Sequence, residues 1–367
     1  AADNLTLFYN KNDKQTLRSE AVYRHKINLP DLADVLVYEE VDETYSVYVN
    51  SSKSRKYIFI SCQSTTMSEH RFIEASQPES DFILIQHRSV DLEYDVEHFG
   101  DYFYILTNYN KAKNFQIMRT SVNQTTSDYW QSLLAHRDEV LLEDFELFDQ
   151  YLVVNERENG LSRLRIISWE NKEDYYLPID EETYTLYISN NPEFKSSQLR
   201  YVFNSLTTPN SVIEFDISTK QKRILKTQEV LGEDFDPDDY TSKRLWAEAR
   251  DGIKIPISIV HRKDTQLSEN TPILQYAYGS YGHTIDPSFS STRLSLLNRG
   301  FAFAITHIRG GGYMGRHWYE EGKLLKKKNT FYDFIDCSKF LIKQKYTSAD
   351  HLYANGGSAG GLLMGVV

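Results

Sequence analysis

Cysteine is scarce in this chain of 367 residues, which has only 2, Cys62 and Cys337. Two cysteines so far apart in sequence cannot form a disulfide framework, and no group of cysteines and histidines has the spacing of a zinc site. The sequence therefore predicts a protein of a reducing compartment with no metal and no other cofactor. We expect a cytoplasmic location, with the periplasm as the alternative.

Long hydrophobic runs are also missing. No stretch approaches the roughly 20 apolar residues that a transmembrane helix needs, so we expect no membrane partner. The first residues, Ala1 to Asn4, lack an initiating methionine and have no signal-peptide pattern. We interpret this start as a cut in a longer polypeptide.

Basic residues are in the minority, because 41 Lys and Arg face 52 Asp and Glu for a net charge of −11. This balance argues against nucleic acid as a partner. Glycine (17) and proline (9) are too few for a collagen-like or low-complexity chain. With 40% hydrophobic residues, the chain is long enough for two domains with packed cores.

A short segment of β-branched and aromatic residues recurs about every 50 residues in the first two thirds of the chain. The copies lie at 6–9, 57–60, 103–106, 151–154 and 200–203. Most are followed by a second, alternating strand, as at 115–119, 164–167 and 212–217. This repeat is typical of propeller blades, which are four-stranded sheets that must stack to bury their faces. We predict an incomplete β-propeller of about five blades over residues 1–231, with a non-repetitive β-sandwich as the alternative.

An acidic segment follows the repeats. Residues 232–240 contain five acidic residues and a proline, a composition that indicates an exposed linker. We place this linker at 232–243, and an acidic docking site is the alternative interpretation.

Residues 244–367 show a different pattern, in which short apolar strands are separated by helices. Asp251-Gly252 is a strong turn signal between two alternating segments, and it predicts a β-hairpin. Further strands are predicted at 273–278, 301–308 and 351–355, and the first two are apolar enough for burial on both faces.

Two helices are predicted between these strands. Residues 292–298 can form the first, which Gly300 would end. The second is clearer, because Thr330 is a candidate N-cap with Asp333 three residues later. Its apolar residues share one stripe, formed by Phe331, Phe334, Ile335, Leu341 and Ile342. The alternation of strands and helices is that of a doubly wound sheet, so we assign residues 244–367 to an α/β domain.

A G-x-S-x-G sequence centred on Ser358 lies directly after the last predicted strand and before an apolar helix. This is the setting of the nucleophile elbow of α/β-hydrolases, where a strained turn exposes the serine hydroxyl. Gly356 and Gly360 would remove side chains that clash in that turn. A tight turn with a small polar residue is the alternative. The amide of Ala359 would be one donor of an oxyanion hole, and a Tyr hydroxyl or backbone amide of residues 276–282 would be the other.

Three glycines also follow Arg309, at 310–312. They could cradle a phosphate, but neither nucleotide-binding glycine pattern surrounds them. We therefore do not predict a nucleotide site there.

Together these segments resemble the prolyl oligopeptidase family of serine peptidases. The matching stretches are 276–282, 309–312, 318–331 and 356–361. The Leu-Lys-Lys-Lys-Asn-Thr-Phe run at 325–331 is far more specific than the elbow. The resemblance implies a seven-bladed propeller covering an α/β-hydrolase domain, and cleavage of short peptides after Arg or Lys through an acyl-enzyme.

The resemblance also implies roles for individual residues. Ser358 would be the nucleophile, with the Ala359 amide and the Tyr278 hydroxyl as the oxyanion hole. Asp286 matches an acidic position that helps to hold a basic side chain next to the scissile residue. Ser288 stands where some members have a second acid, which puts basic selectivity at that subsite in doubt.

The triad of α/β-hydrolases follows the order Ser, Asp, His, and only nine residues follow Ser358, none of them Asp or His. His317 and His351 precede the serine and lie in no matching motif. We expect that the chain is an internal fragment, that the missing Asp and His lie beyond Val367, and that the isolated chain is inactive. Two alternatives remain: another propeller-bearing peptidase, such as a dipeptidyl or acylaminoacyl peptidase, and a non-catalytic propeller that binds a protein partner.

Overall fold

The computed structural model describes residues 1–30, 33–170, 173–231 and 235–367. These residues form two compact units. The first unit contains residues 1–138, 145–152 and 192–196, and the second contains 139–144, 153–191 and 197–367. No helix in these described ranges is long and apolar enough to cross a membrane.

The region predicted as a propeller consists of five separate sheets, in which neighbouring strands follow each other along the chain. The first sheet has three strands, β1 (Thr6–Asn12), β2 (Ser19–Lys26) and β3 (Val35–Glu39). The second has β4 (Ser46–Ser51), β5 (Tyr57–Gln63), β6 (Ser68–Glu74) and β7 (Ile83–Gln86). The third has β8 (Tyr94–Phe99), β9 (Tyr102–Thr107), β10 (Gln116–Ser121) and β11 (Gln131–Leu134).

The fourth and fifth sheets have the same four-stranded arrangement. The fourth contains β12 (Val140–Leu147), β13 (Tyr151–Glu158), β14 (Leu161–Ser168) and β15 (Asp174–Tyr176). The fifth contains β16 (Tyr184–Ile188), β17 (Gln198–Ser205), β18 (Ser211–Asp216) and β19 (Gln221–Thr227).

The sequence repeat corresponds to one strand position in these sheets. Its five copies lie in β1, β5, β9, β13 and β17, and the last four of these are the second strand of a four-stranded sheet. Strand β5 is buried along nearly its whole length, whereas β14 alternates between buried and half-buried residues. Burial on both faces explains why the repeated segment is continuously apolar while the following strand alternates.

A sixth, mixed sheet of five strands lies at the end of the chain. Its strands are β20 (Tyr240–Glu248), β21 (Lys254–Arg262), β22 (Ile273–Tyr276), β23 (Ala302–Thr306) and β24 (Leu352–Asn355), in the order β20-β21-β23-β22-β24. The predicted hairpin is confirmed, because β20 and β21 pair antiparallel on either side of Gly252, whose φ is +84°. Strand β20 begins inside the predicted linker, whose residues 232–234 lie outside the described part of the chain.

Four α-helices accompany this sheet among the described residues. They are α1 (Ser291–Leu297), α2 (Arg316–Glu320), α3 (Lys328–Lys343) and α4 (Ala359–Val366). The prediction that α1 ends near Gly300 is confirmed by the φ of +84° at this glycine. The predicted cap of α3 is wrong: the helix begins at Lys328, and the Thr330 hydroxyl instead donates a 3.2 Å hydrogen bond to the Gly322 carbonyl.

Helix α3 packs against the mixed sheet through part of the predicted apolar stripe, since Phe331, Phe334 and Leu341 belong to this core but Ile335 and Ile342 do not. Phe334, Cys337 and Leu341 are buried in one core with Ile255 and Ile257 of β21. Strand β22 pairs in parallel with both β23 and β24, so all three strands end at the same edge of the sheet. The segments that follow β22 and β24 are therefore brought side by side, and these are the two segments in which the sequence places candidate site residues.

Candidate active site

Ser358 occupies a sharp turn between strand β24 and helix α4. Its backbone has φ of 52° and ψ of −120°, in the left-handed half of conformational space that residues other than glycine rarely adopt. The residue is exposed. The predicted strand–turn–helix setting of a nucleophile elbow is thus confirmed.

Two of the glycines around Ser358 are required by close backbone contacts. A Cβ on Gly356 would lie 2.6 Å from the Gly360 carbonyl oxygen, and one on Gly360 would lie 2.9 Å from the Ala277 carbonyl oxygen. A Cβ on Gly357 would meet nothing within 4 Å. The backbone of the elbow is therefore in close contact with itself and with Ala277, the first residue after β22.

Two residues next to the elbow carry hydrogen-bond donors, the Ala359 amide and the Tyr278 hydroxyl, for which the described ranges show no protein acceptor. The amide of Ala359 is the first of helix α4, where no intrahelical acceptor exists. Tyr278 follows β22 and lies against the elbow, with its Cα 3.6 Å from the position of a Cβ on Gly360. Its ring meets that of His283 edge to face at 5.6 Å. The structure thus brings Tyr278, Ser358 and Ala359 together, as the sequence predicts.

The loop that carries Tyr278 is held by the glycines of the Arg309–Gly312 motif. The backbones of Gly310 and Gly312 approach the carbonyls of Gly279 and Gly282 so closely that neither glycine could carry a side chain. The Gly282 amide also donates a 3.0 Å hydrogen bond to the Gly310 carbonyl. These glycines pack two loops together, which explains their number without a phosphate ligand.

Arg309 anchors the same motif to helix α3. It donates three hydrogen bonds to the buried Asp333, of 2.6, 2.9 and 3.0 Å, and pairs with Asp251 at 2.7 Å. Burial opposes the charge of Arg309, but the bonds to these two carboxylates raise its pKa above the ordinary range. Asp333 is therefore an anchor for Arg309 and not part of a helix cap.

Asp286 follows the Tyr278 loop and has a partner within the chain. The Arg157 guanidinium, from β13, donates to its two oxygens at 2.9 and 3.3 Å, and to Glu143 at 2.7 Å. Arg157 is buried, and although burial opposes its charge, the two carboxylates raise its pKa. The Asp286 side chain keeps 24% of its surface exposed. A further guanidinium, that of Arg244, lies over the Tyr313 ring beside this group at 5.9 Å.

The comparisons with known proteins show which family the chain is similar to. Residues 1–228 match the prolyl oligopeptidase N-terminal beta-propeller domain, and residues 287–367 match the prolyl oligopeptidase family. The chain belongs to the prolyl oligopeptidase family. This is a family of serine peptidases, as the motifs imply, and the first 228 residues are propeller-domain sequence.

Three members of the family show how the chain compares. It is 45% identical to dipeptidyl aminopeptidase BI of Pseudoxanthomonas mexicana, matching 100% of this chain and 50% of that protein. It is 36% identical to Protease 2 of Moraxella lacunata, over 98% of this chain and 51% of that protein. The structure of oligopeptidase B from Leishmania major superimposes with a TM-score of 0.92 at 33% identity, over 98% of this chain and 52% of that chain. The chain thus spans about half the length of these relatives.

Three histidines of this domain, His307, His317 and His351, have partners away from Ser358. His307 is buried, stacks on Tyr313 with ring centres 3.5 Å apart, and lies 2.8 Å from the Ser258 hydroxyl. His351 lies 2.9 Å from the Ser348 hydroxyl, and the ring of His317 meets Trp318. In the described ranges no histidine is within hydrogen-bond distance of Ser358, and no group of three His, Cys, Asp or Glu residues could hold a metal.

Sequence reasoning missed two residues that shape this family site. Arg157 was missed because it lies 129 residues from Asp286 in an ordinary alternating strand. Lys327 was recognised only as part of the Lys-Lys-Lys run, but its ammonium reaches the Tyr278 loop, where it donates to the Gly279 carbonyl at 2.5 Å and to the Ser280 hydroxyl at 2.7 Å. The position of a lysine within this motif was the only sequence signal for that contact.

Proposed function

We propose that the whole protein containing this chain is a serine peptidase that cleaves short peptides through an acyl-enzyme on Ser358. The observation that carries the proposal is the exposed Ser358 in a left-handed turn, with the first amide of helix α4 directly after it and Tyr278 packed against the elbow. The proposal concerns the whole protein, because this chain spans only about half the length of its relatives.

In this mechanism the Ser358 oxygen attacks the carbonyl carbon of the scissile bond, and the carbonyl oxygen becomes an oxyanion. The Ala359 amide and the Tyr278 hydroxyl donate hydrogen bonds to it, which stabilises the transition state more than the substrate. The serine proton must pass to a base and then to the leaving amine, and water then hydrolyses the ester. We propose that this base is a histidine, oriented by an aspartate, in the part of the protein after Val367.

We further propose that cleavage follows Arg or Lys, and that a seven-bladed propeller limits access to short peptides. Support comes from the 36% identity to Protease 2 and the similarity to oligopeptidase B from Leishmania major. Asp286 would contribute to binding a basic side chain next to the scissile residue through its partly exposed oxygens. We place the reaction in the cytoplasm, with the periplasm as the alternative.

A second candidate function is the removal of dipeptides from free amino termini. It is favoured by the 45% identity to a protein named dipeptidyl aminopeptidase BI. The two activities make different demands, because an aminodipeptidase must bind a free terminal ammonium group and an endopeptidase need not.

A pair of fluorogenic Arg-Arg substrates, one with a blocked and one with a free amino terminus, distinguishes these functions in the full-length protein. We expect the blocked substrate to be cleaved and Ser358→Ala to abolish cleavage. Cleavage of the free-amine substrate alone would establish the aminodipeptidase instead. If a fluorophosphonate failed to label Ser358 in the full-length protein, the peptidase proposal would be overturned in favour of a non-catalytic binding module.

The isolated chain of 367 residues provides a further test. Without a general base the serine hydroxyl is a weak nucleophile. We expect the fluorophosphonate to label the full-length protein and not the isolated chain.

A further inference from the structure

Lys327 is the inward-facing member of three consecutive lysines that precede or begin helix α3. Lys326 and Lys328 are exposed, and Lys326 pairs with Glu321 at 2.6 Å. Lys327 is half-buried, and its ammonium donates to the Gly279 carbonyl oxygen at 2.5 Å and to the Ser280 hydroxyl at 2.7 Å. Three adjacent residues of one type thus have different surroundings, and only the middle one contacts the candidate site.

The loop held by Lys327 is the one that presents Tyr278. Its backbone turns through positive φ at Gly279 (69°), Tyr281 (58°) and Gly282 (67°), and the Tyr281 side chain is exposed. Within the described residues, the side-chain hydrogen bonds to residues 278–282 all come from Lys327. A turn with so many unusual backbone angles and so little buried side chain depends on such bonds to keep one conformation.

Burying the Lys327 ammonium is not expected to add to the free energy of unfolding of the chain. No carboxylate of the described residues lies within ion-pair distance of its ammonium, and burial lowers its pKa. Placing an ammonium in a half-buried site without an opposite charge is costly. Besides the face of the Phe331 ring, 6.0 Å away, the two loop oxygens compensate the charge, so the lysine and the loop conformation depend on each other.

We propose that Lys327 is a positioning residue that fixes the loop of residues 278–282 so that the Tyr278 hydroxyl points at the developing oxyanion. Lys327 touches no reacting atom and acts through the loop. This inference rests on the proposed function, because it assumes that Tyr278 donates to an oxyanion formed on the ester or amide attacked by Ser358. A shift of about 1 Å in a donor of this kind is enough to weaken catalysis strongly.

A double-mutant cycle in the full-length protein tests the proposal, with kcat expressed per site labelled by a fluorophosphonate. We expect Tyr278→Phe to lower kcat about 100-fold and Lys327→Met to lower it about tenfold, with KM changed by less than about twofold. The double variant should be no slower than Tyr278→Phe alone, since a loop that no longer carries the hydroxyl has nothing to position. Lys327→Arg should keep part of the activity, and Lys328→Met, the matched control, should keep all of it.

Multiplicative losses in the double variant would overturn the inference, because they would show that Lys327 acts independently of Tyr278. An unchanged kcat per labelled site in Lys327→Met would also overturn it. If Lys327→Met leaves no labelled sites, Ser280→Ala removes only one acceptor and repeats the cycle, with an expected loss of about threefold that vanishes in the Tyr278→Phe background. If Tyr278→Phe is fully active, the inference fails while the proposed peptidase function stands. If Ser358→Ala is fully active, the proposed function fails, and the inference fails with it.

Discussion

Asp286 and Arg157 are joined by two hydrogen bonds, of 2.9 and 3.3 Å, although 129 residues separate them in sequence. Arg157 also binds Glu143, so one buried guanidinium serves two carboxylates. The acid that the family resemblance assigns to the substrate therefore already has a cation beside it. A substrate cation would share the Asp286 oxygens with Arg157 or compete with it.

The variant Asp286→Asn tests this shared use in the full-length protein. We expect selectivity for a basic residue next to the scissile residue to fall about fivefold, as for a partly exposed ion pair of about 1 kcal/mol. We also expect a lower unfolding temperature, because Arg157 would keep Glu143 as its only carboxylate partner within the described contacts. Ser288→Ala is the control for selectivity. A lower unfolding temperature with unchanged selectivity would assign Asp286 to structure alone.

The elbow glycines allow a matched comparison. Gly356→Ala would place a methyl group 2.6 Å from the Gly360 carbonyl oxygen, whereas Gly357→Ala would place one in open space. We expect Gly356→Ala to reduce the free energy of unfolding by about 1–3 kcal/mol and Gly357→Ala to leave it nearly unchanged. Denaturant unfolding of both variants measures the difference. If Gly356→Ala were as stable as Gly357→Ala, the turn would have to relax around the added methyl group.

Helix α3 carries two acid–arginine pairs that differ in burial. Asp333 is fully buried against Arg309, while Asp336 pairs with Arg250, whose side chain is 44% exposed. We expect Asp333→Asn to cost about 3 kcal/mol of unfolding free energy, since it leaves the buried Arg309 guanidinium with only the partly exposed Asp251 as a charge partner. Asp336→Asn should cost less than about 1 kcal/mol. A similar cost for both variants in denaturant unfolding would contradict the role of Arg309 as a buried anchor.

Glu97, in the first compact unit, lies in a cluster of charged groups. Its carboxylate accepts hydrogen bonds from the backbone amides of Lys53 and His98, and the Lys53 ammonium pairs with Glu146 at 2.6 Å. Burial is the main cause that raises the pKa of Glu97 to about 7, and the nearby Glu146 adds to it. Glu97 therefore titrates near neutral pH in the folded chain.

Because the folded pKa of Glu97 exceeds its unfolded value of 4.5, its contribution to stability is present below pH 4.5. That contribution is lost as the pH rises towards about 7, and its size is up to about 3 kcal/mol. Glu97→Gln should remove this part of the pH dependence between pH 4.5 and 7. Thermal unfolding across this range measures it, with the same substitution at the exposed Glu74 as the control. An unaltered slope in Glu97→Gln would show that the carboxyl is already ionised at pH 5.

Much of the local structure could be predicted from the pattern of apolar residues. The five repeated segments are strands in five sheets, and the hairpin around Gly252 and the helix before Gly300 form where turn residues place them. These features depend on contacts between near neighbours in sequence and on which faces are buried. The G-x-S-x-G turn was predictable for the same reason, since strand, turn and helix follow each other directly.

Features that depend on distant segments were not predictable. Thr330 and Asp333 have the spacing of a helix cap, but Gly322 and Arg309 engage them instead. The three glycines after Arg309 suggest a ligand loop in isolation, and only the approach of the Tyr278 loop explains them. In each case the side chain or backbone could contact either a neighbour in sequence or a distant residue. The distant residue comes within reach only when the chain folds.

The sequence by itself determined the strand repeats, the α/β alternation and the position of the serine turn, because these follow from periodicity and from residues with restricted backbone angles. The Tyr278 loop was predicted only through the family resemblance, and the tertiary structure alone decided which groups hold the predicted site residues: the Lys327 ammonium on the Tyr278 loop and the Arg157 guanidinium on Asp286. The physical reason is the parallel pairing of β22 with β24, which brings to one edge segments that lie far apart along the chain. Ion pairs and close backbone contacts then form between residues whose spacing in the sequence gives no indication that they meet.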